Sequence, residues 1–188
     1  MLKKRDLSDC GILFELLQDP AVFPYVRQKA DSLDTFLFLT KQTIESEDAG
    51  TMISRTIMNE WGAPIGTITL FDIENGHGFL GTWIGKPYFG KGYNQKAKEA
   101  FFTEIFLEHG IETVFMKIRT ANVRSIKAAG KLSYVSIADQ RFPDVYRKIN
   151  PSEKTYHLFA VTKESFFSCR ETIEPFPPVS DHDTLKEA

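Results

Sequence analysis

Trp83-Ile84-Gly85-Lys86-Pro87-Tyr88-Phe89-Gly90-Lys91-Gly92-Tyr93-Asn94-Gln95-Lys96-Ala97 decides how the chain is read. To its left runs a short apolar strand, 78–84. To its right, Tyr93, Ala97, Ala100, Phe101 and Ile105 recur at helical spacing. Between them is a tight turn with two glycines one residue apart. The first N–H groups of a helix have no internal partner, and the helix dipole adds positive potential there. Gly90 and Gly92 permit backbone angles and a close approach that a side chain forbids. A phosphate or pyrophosphate suits such a turn.

Three motifs compete for these residues. Gly85 through Gly92 nearly forms a nucleotide-triphosphate loop, but Gly92 stands where a Mg²⁺-binding Ser or Thr is required. Lys86, Pro87, Tyr88 and Phe89 are also bulky for a loop that wraps phosphates. The dinucleotide fingerprint needs a third glycine, and Gln95 occupies its place. The third motif is Gly-x-Gly opening a long helix in the middle of an α/β chain. A purely structural strand-to-helix turn fits the same residues.

Composition narrows the field. The 188 residues suffice for one well-packed domain and are too few for two ordinary ones. With 42% hydrophobic and 26% charged residues, the balance is that of a soluble globular chain. Sixteen Phe point to a core rich in aromatic area. A net charge of −2 gives no reason to expect nucleic acid or an anionic membrane as partner, though it permits a local cationic patch. Cys10 and Cys169 imply no disulfide framework, and a reducing, cytoplasmic setting is expected. The start lacks the apolar stretch of a secretory signal, and no run approaches a membrane span.

In chain order, Asp9 is placed to cap a helix to about residue 18, stopped by Asp19-Pro20. Asp31 or Ser32 caps a second helix to about residue 46. Residues 51–58 and 65–73 read as a hairpin whose loop contains Gly62. The long central helix runs from about Lys91 to His109, with Gly110 as its C-terminal cap. A strand follows over 113–118, with Val114, Met116 and Ile118 alternating against Phe115 and Lys117. Asn122 is placed to cap a helix from Val123 to about Leu132. Strands over 134–138 and 156–162 flank a mixed-charge loop, 139–154. The order predicts an α+β (mixed α/β) domain over 1–168: a twisted mixed sheet of six to seven strands flanked by about four helices. Residues 169–188, rich in proline and charge, read as an extended or disordered tail.

From Leu2 to about Phe166 the chain resembles the GNAT N-acetyltransferases, in particular the RimJ/RimL-like branch that acetylates ribosomal proteins. The resemblance is carried by Leu7-x-Asp9, Asp19-Pro20-x-Val22, Trp61-Gly62-x-Pro64-Ile65-Gly66 and Tyr88-Phe89-Gly90-Lys91-Gly92-Tyr93. It is completed by Asn122-x-x-Ser125-Ile126 followed by Lys131-Leu132-Ser133-Tyr134. Pro87, Gly130 and Ser133 depart from the usual pattern. Ala129 falls where many relatives carry a Tyr that protonates the departing thiolate, a residue this branch commonly lacks.

The resemblance implies direct acetyl transfer from acetyl-CoA, without a metal, to a primary amine: a peptide or protein α-amine or a small-molecule amine. Residues expected to hold the coenzyme are Trp83, Ile84, Phe89, Gly90, Lys91, Gly92, Tyr93, Asn94, Asn122 and Ser125. Backbone N–H groups from Phe89 to Asn94 would take the pyrophosphate, with Lys91 and Lys96 adding charge. The strand before the loop would pair with the pantetheine arm, and an N–H near Trp83 or Ile84 would polarise the thioester. Ser125 would stabilise the thiolate and Asn122 bond the pantetheine amides; as an ordinary N-cap and a helical Ser, both also have purely structural readings. For the base, Glu74, His77 and His157 are candidates by position, with His77 placed alongside Ser125 and Asn122 as a catalytic residue. Deprotonating an amine at pH 7 costs roughly 4–5 kcal/mol for a lysine side chain and about 1 kcal/mol for an α-amine, so a weak base favours the latter. A non-catalytic acyl-CoA-binding module is the alternative, and a monomer or a homodimer is equally compatible.

Overall fold

The structure is a computed structural model, and it describes residues 1–171. Seven strands form one open sheet in the order β1-β2-β3-β4-β5-β7-β6. They are β1 (Leu2–Lys4), β2 (Ile53–Met58), β3 (Pro64–Glu74), β4 (His77–Ile84), β5 (Thr113–Arg119), β6 (Ser136–Ile137) and β7 (Tyr156–Thr162). The described residues also form six α-helices: α1 (Cys10–Leu17), α2 (Leu33–Asp48), α3 (Tyr93–Glu108), α4 (Val123–Ala129), α5 (Pro143–Ile149) and α6 (Lys163–Glu171). All neighbouring strands are antiparallel except β4 and β5, which run parallel.

Alternation along the strands sorts the core into three clusters. Leu80, Ile84, Val114 and Met116 pack against Phe101, Phe102, Ile105 and Phe106 of α3 and Phe166 of α6. Phe102, Tyr134 and Phe166 meet edge to face, at 5.1 Å between the Tyr134 and Phe166 rings. A second cluster joins Leu13 and Leu17 of α1 to Phe36 of α2, with Val22, Val26 and Ala30 from their connection. The third cluster sets Phe115, Leu158 and Ala160 against Phe142, Val145, Tyr146 and Ile149 around α5.

Several boundaries move. Asp6, not Asp9, makes the first cap: its side chain accepts from Ser8 N–H, while Asp9 pairs with Lys3 at 3.0 Å. Ser32 caps α2, accepting from Thr35 N–H at 3.1 Å. The fourth helix ends at Ala129, short of Leu132. Strand 134–138 contracts to β6, two residues. The loop 139–154 contains α5, with Pro143 in the first turn, where its missing N–H costs nothing. The expected tail begins too early, since 169–171 belong to α6; residues 172–188 lie outside the described residues. That helix opens on a reciprocal box: Thr162 Oγ1 accepts from Ser165 N–H and Ser165 Oγ from Thr162 N–H, both at 3.1 Å.

Candidate active site

Parallel β4 and β5 pair only at His77↔Thr113, Gly78↔Val114 and Phe79↔Phe115. Beyond that the strands part, and β4 from Leu80 to Ile84 keeps β3 on one side and has no strand on the other. Gly85 N–H donates to Ile65 O on β3 at 2.8 Å. Since successive residues of a strand direct their N–H and C=O groups to opposite sides, those of Ile84 and Thr82 point into the gap and those of Trp83 towards β3. Of the two N–H groups expected to polarise the thioester, that of Ile84 is the one that faces the gap.

The gap leads to the glycine turn. Gly90 and Gly92 have φ of 73° and 81°, left-handed values that glycine adopts without strain. A Cβ on either would meet nothing within 4 Å, so the space above the turn is open. Gly92 is the N-cap of α3 and supplies no side chain to its first turn. Among the described residues, no N–H from Gly90 to Gln95 has a protein partner, whereas Phe89 N–H is spent on Lys86 O at 3.1 Å. The run of unpartnered N–H groups thus begins one residue later than the sequence suggests.

Side chains around the turn mostly brace it. Tyr93 OH donates to Glu60 Oε2, which pushes the phenol up to about 12 and holds the carboxyl below its ordinary range. Lys91 Nζ lies 5.7 Å from the Tyr88 ring centroid. From α4, the Arg124 guanidinium sits 4.3 Å from the Phe89 ring centroid.

Two cavities meet at the gap. One, about 360 Å³, is lined by Phe89, Gly90, Gly92, Asn94, Arg124 and Lys131 among others. The other, about 470 Å³, lies between the α1–α2 connection, α2 and the parted ends of β4 and β5. Thr82, Trp83, Asn94, Lys98, Asn122 and Ser125 line both. Of the residues expected to hold the coenzyme, only Lys91 lines neither cavity. Asn122 Oδ1 accepts from Ser125 N–H at 3.2 Å as the α4 cap, leaving its amide nitrogen unused by the cap.

The residues expected to act as base lie elsewhere. His77 sits at the closed end of the gap, stacked on Phe115 at 5.9 Å, with Nδ1 2.6 Å from Asn75 O. Glu74 faces it across the β3–β4 turn, and His157 pairs with Ile118 in the β5–β7 ladder. None of the three lines either cavity, and among the described residues no Asp, Glu or His lines them. Ala129 is fully buried and lines neither, while its neighbour Ala128 lines both.

Lys98 is the residue that sequence reasoning missed. It stands on α3 with only 7% of its surface exposed, lines both cavities, and has no hydrogen bond or ion pair among the described residues. Burial pulls its ammonium down to about 8. The available signal was a lysine one residue after Ala97, on the side of α3 that carries Phe101, Phe102 and Ile105 inward.

Known proteins agree with this architecture. The family described as "Acetyltransferase (GNAT) domain" matches residues 1–135. An uncharacterized N-acetyltransferase, p20, of Bacillus licheniformis is 25% identical over 140 residues, covering 71% of this chain and 77% of its own. Among solved structures, FdhC, a nucleotide-linked sugar GNAT, superposes with a TM-score of 0.73 at 14% identity, covering 92% of this chain and 91% of its own. RimL, a ribosomal L7/L12 α-N-protein acetyltransferase, gives 0.68 at 16% identity over 86% and 88%. A spermidine N-acetyltransferase chimera from Vibrio cholerae and hSSAT gives 0.69 at 12% identity over 89% and 97%. A seven-stranded sheet that parts between β4 and β5, a bare helix start at its mouth and a domain match reaching from Met1 to Val135 converge: the chain belongs to the GNAT acetyltransferases, which take their acetyl group from acetyl-CoA.

Proposed function

We propose that this chain transfers acetyl from acetyl-CoA to the α-amine of a peptide or protein, or to a small-molecule amine, by direct attack in a ternary complex. The observation that carries the reading is the unpaired edge of β4 running into the free N–H groups of residues 90–95. The cradle fits a diphosphate on two counts: its donors are unspent, and the space above both glycines is empty. Acetyl-CoA supplies the activated thioester; the chain supplies position and charge. Residues 90–95 would hold the diphosphate, Ile84 N–H would polarise the thioester, and the Asn122 amide would bond the pantetheine arm.

In the transfer an N–C bond forms, the C–S bond breaks, the amine gives up one proton and the departing sulfur takes one. Lys98, at the junction of the cavities, would donate to the departing thiolate. An ammonium held near 8 is matched to a thiol of about 8.5, so proton transfer to the sulfur is close to thermoneutral. Ser125 hydroxyl adds a second donor from α4. Among the described residues, no carboxylate or imidazole lines the cavities to take the amine's proton. A cleft lined by cations lowers an acceptor ammonium's pKa by itself, and an α-amine near 8 needs only about 1 kcal/mol to deprotonate at pH 7. Unbonded Cys10 and Cys169 are compatible with a reducing, cytoplasmic setting.

The lack of a conventional base also favours the second reading, a module that binds acyl-CoA without turning it over. Thiol release from acetyl-CoA with a panel of amines and N-terminal peptides separates the two; release no faster than the uncatalysed background leaves only binding. Gly92→Glu tests the cradle. The substitution places a carboxylate where the diphosphate sits, at a left-handed position costing about 1 kcal/mol in a non-glycine. By calorimetry CoA affinity should fall at least about 100-fold, nearly 3 kcal/mol, with the fold intact. Unchanged affinity would place the coenzyme elsewhere.

A further inference from the structure

The 470 Å³ cavity, on the far side of the junction from the glycine turn, is the one left for the acceptor, and its charge is one-sided. Arg5, Arg27, Lys29, Lys98, Lys117 and Arg119 line it, and among the described residues not one Asp or Glu does. In a chain with 25 acidic and 23 basic residues, that segregation reflects no overall excess of base. None of the six is in an ion pair among the described residues. Elsewhere this protein neutralises a buried cation: Arg55, 5% exposed, is pinned between Glu47 and Glu104. In the cavity no such contact is made among the described residues: Asp9 and Asp72 act on Arg5 and Arg27 only without an ion-pair contact. Lys98 is buried with no hydrogen-bond or ion-pair partner among the described residues. Arg5 donates from Nη2 to Thr40 Oγ1 at 3.1 Å, while its Nε is buried with none. Burial depresses both groups, and a cation out of water and unpaired is relieved by an anion brought to it.

The other four form an exposed rim. Arg27 lies 4.3 Å from the Phe71 ring centroid, and Lys117 lies 5.9 Å from it and 5.3 Å from that of Phe79. Lys29 and Arg119 complete the ring from the α1–α2 connection and the free end of β5. The coenzyme diphosphate does not account for them. Its cradle opens into the neighbouring cavity with its own cations, Arg124 and Lys131, and of the six only Lys98 reaches that cavity.

We propose that the acceptor is an anion as well as an amine: a primary amine carrying a carboxylate or phosphate that the ring from Arg5 to Arg119 receives. A polyamine or a lysine-rich peptide meets repulsion at every charged residue of the wall. The inference rests on the acetyl-transfer reading for the identity of the attacking group, and on the cavity's own charge for the anion.

The experiment uses isosteric pairs with the full chain and saturating acetyl-CoA. The pairs are alanine and alaninamide, an amino-sugar phosphate and its unphosphorylated parent, and N-terminal peptides with Glu or Gln at the second and third positions; a polyamine stands as the cationic extreme. At least one pair should favour its anionic member by about tenfold or more in kcat/KM, and the pair that does so separates a small molecule from a peptide. Arg27→Gln with Arg119→Gln, both exposed, should shrink that preference to about twofold; Lys117→Gln is the independent second variant. Equal rates across every pair, or a polyamine acetylated fastest, overturn the inference and leave acetyl transfer standing. If no amine releases thiol, the transfer reading falls, and calorimetry of the same pairs on the protein–CoA complex decides the anion separately. Tighter binding of the anionic member supports it, and equal binding overturns it.

Discussion

Lys98 illustrates how one side chain can set both stability and chemistry. An ordinary lysine titrates at 10.5, whereas burial brings this one to about 8. Between those values the unfolded chain binds more protons than the folded one, so folding stability should rise as pH climbs from about 8 to about 10.5 and be lowest below 8. The difference corresponds to about 3 kcal/mol of desolvation carried at neutral pH. Lys98→Met keeps the volume and removes the charge. Thermal unfolding followed from pH 7 to 10 should show a variant more stable at pH 7, by up to that amount, and without the rise at high pH. Turnover should fall about 100-fold or more, as for other proton-transfer groups. A variant that is stabilised yet fully active would make Lys98 a packing residue with no part in transfer.

The helix α4 carries the other ambiguous residue, and the ambiguity lies in the element. Asn122 caps it through Oδ1 and also lines both cavities. Asn122→Ser preserves a capping oxygen without the amide, whereas Asn122→Ala loses both, the cap being worth about 1 kcal/mol. The Ser variant should therefore unfold at the wild-type temperature while its KM for acetyl-CoA rises about tenfold, on the order of 1.4 kcal/mol. A KM that stays put would reduce Asn122 to its capping role. This cap, the glycine turn and the alternation of β5 were legible in the sequence because each is written within a few neighbouring residues. The elements that were not legible fail for identifiable reasons. Strand β1 is three residues, two of them lysine, and exists only through its long-range pairing with β2. Helix α5 hides in a charged segment, although Phe142, Val145, Tyr146 and Ile149 have helical spacing and pack on Phe115 and Leu158. Helix α6 was obscured by the prolines that follow it. His77 looked apt because it begins β4, but sequence position does not reveal which end of a parallel pair stays closed.

On the scale of the whole molecule, the cationic cavity was beyond sequence reading. Arg5 precedes α1, Arg27 and Lys29 lie between α1 and α2, Lys98 is on α3, and Lys117 and Arg119 end β5; only the folded sheet brings them to one wall. The net charge of −2 conceals them, because the compensating carboxylates are distributed elsewhere, as in the Arg55 cluster that ties α2 and α3 to β2. A localised field of this kind has a signature that single substitutions do not. Screening lengths fall from about 30 Å at 0.01 M salt to about 3 Å at 1 M, so attraction exerted across the cavity mouth weakens steeply over that range. With acetyl-CoA held saturating, kcat/KM for an anionic amine should drop by roughly an order of magnitude from low to high salt, while its neutral isostere changes little. The divergence of the two curves isolates the acceptor's charge from any salt effect on the coenzyme or the fold. Parallel curves would mean that the six cations exert no net field on the incoming amine, and the cavity would then select by shape alone.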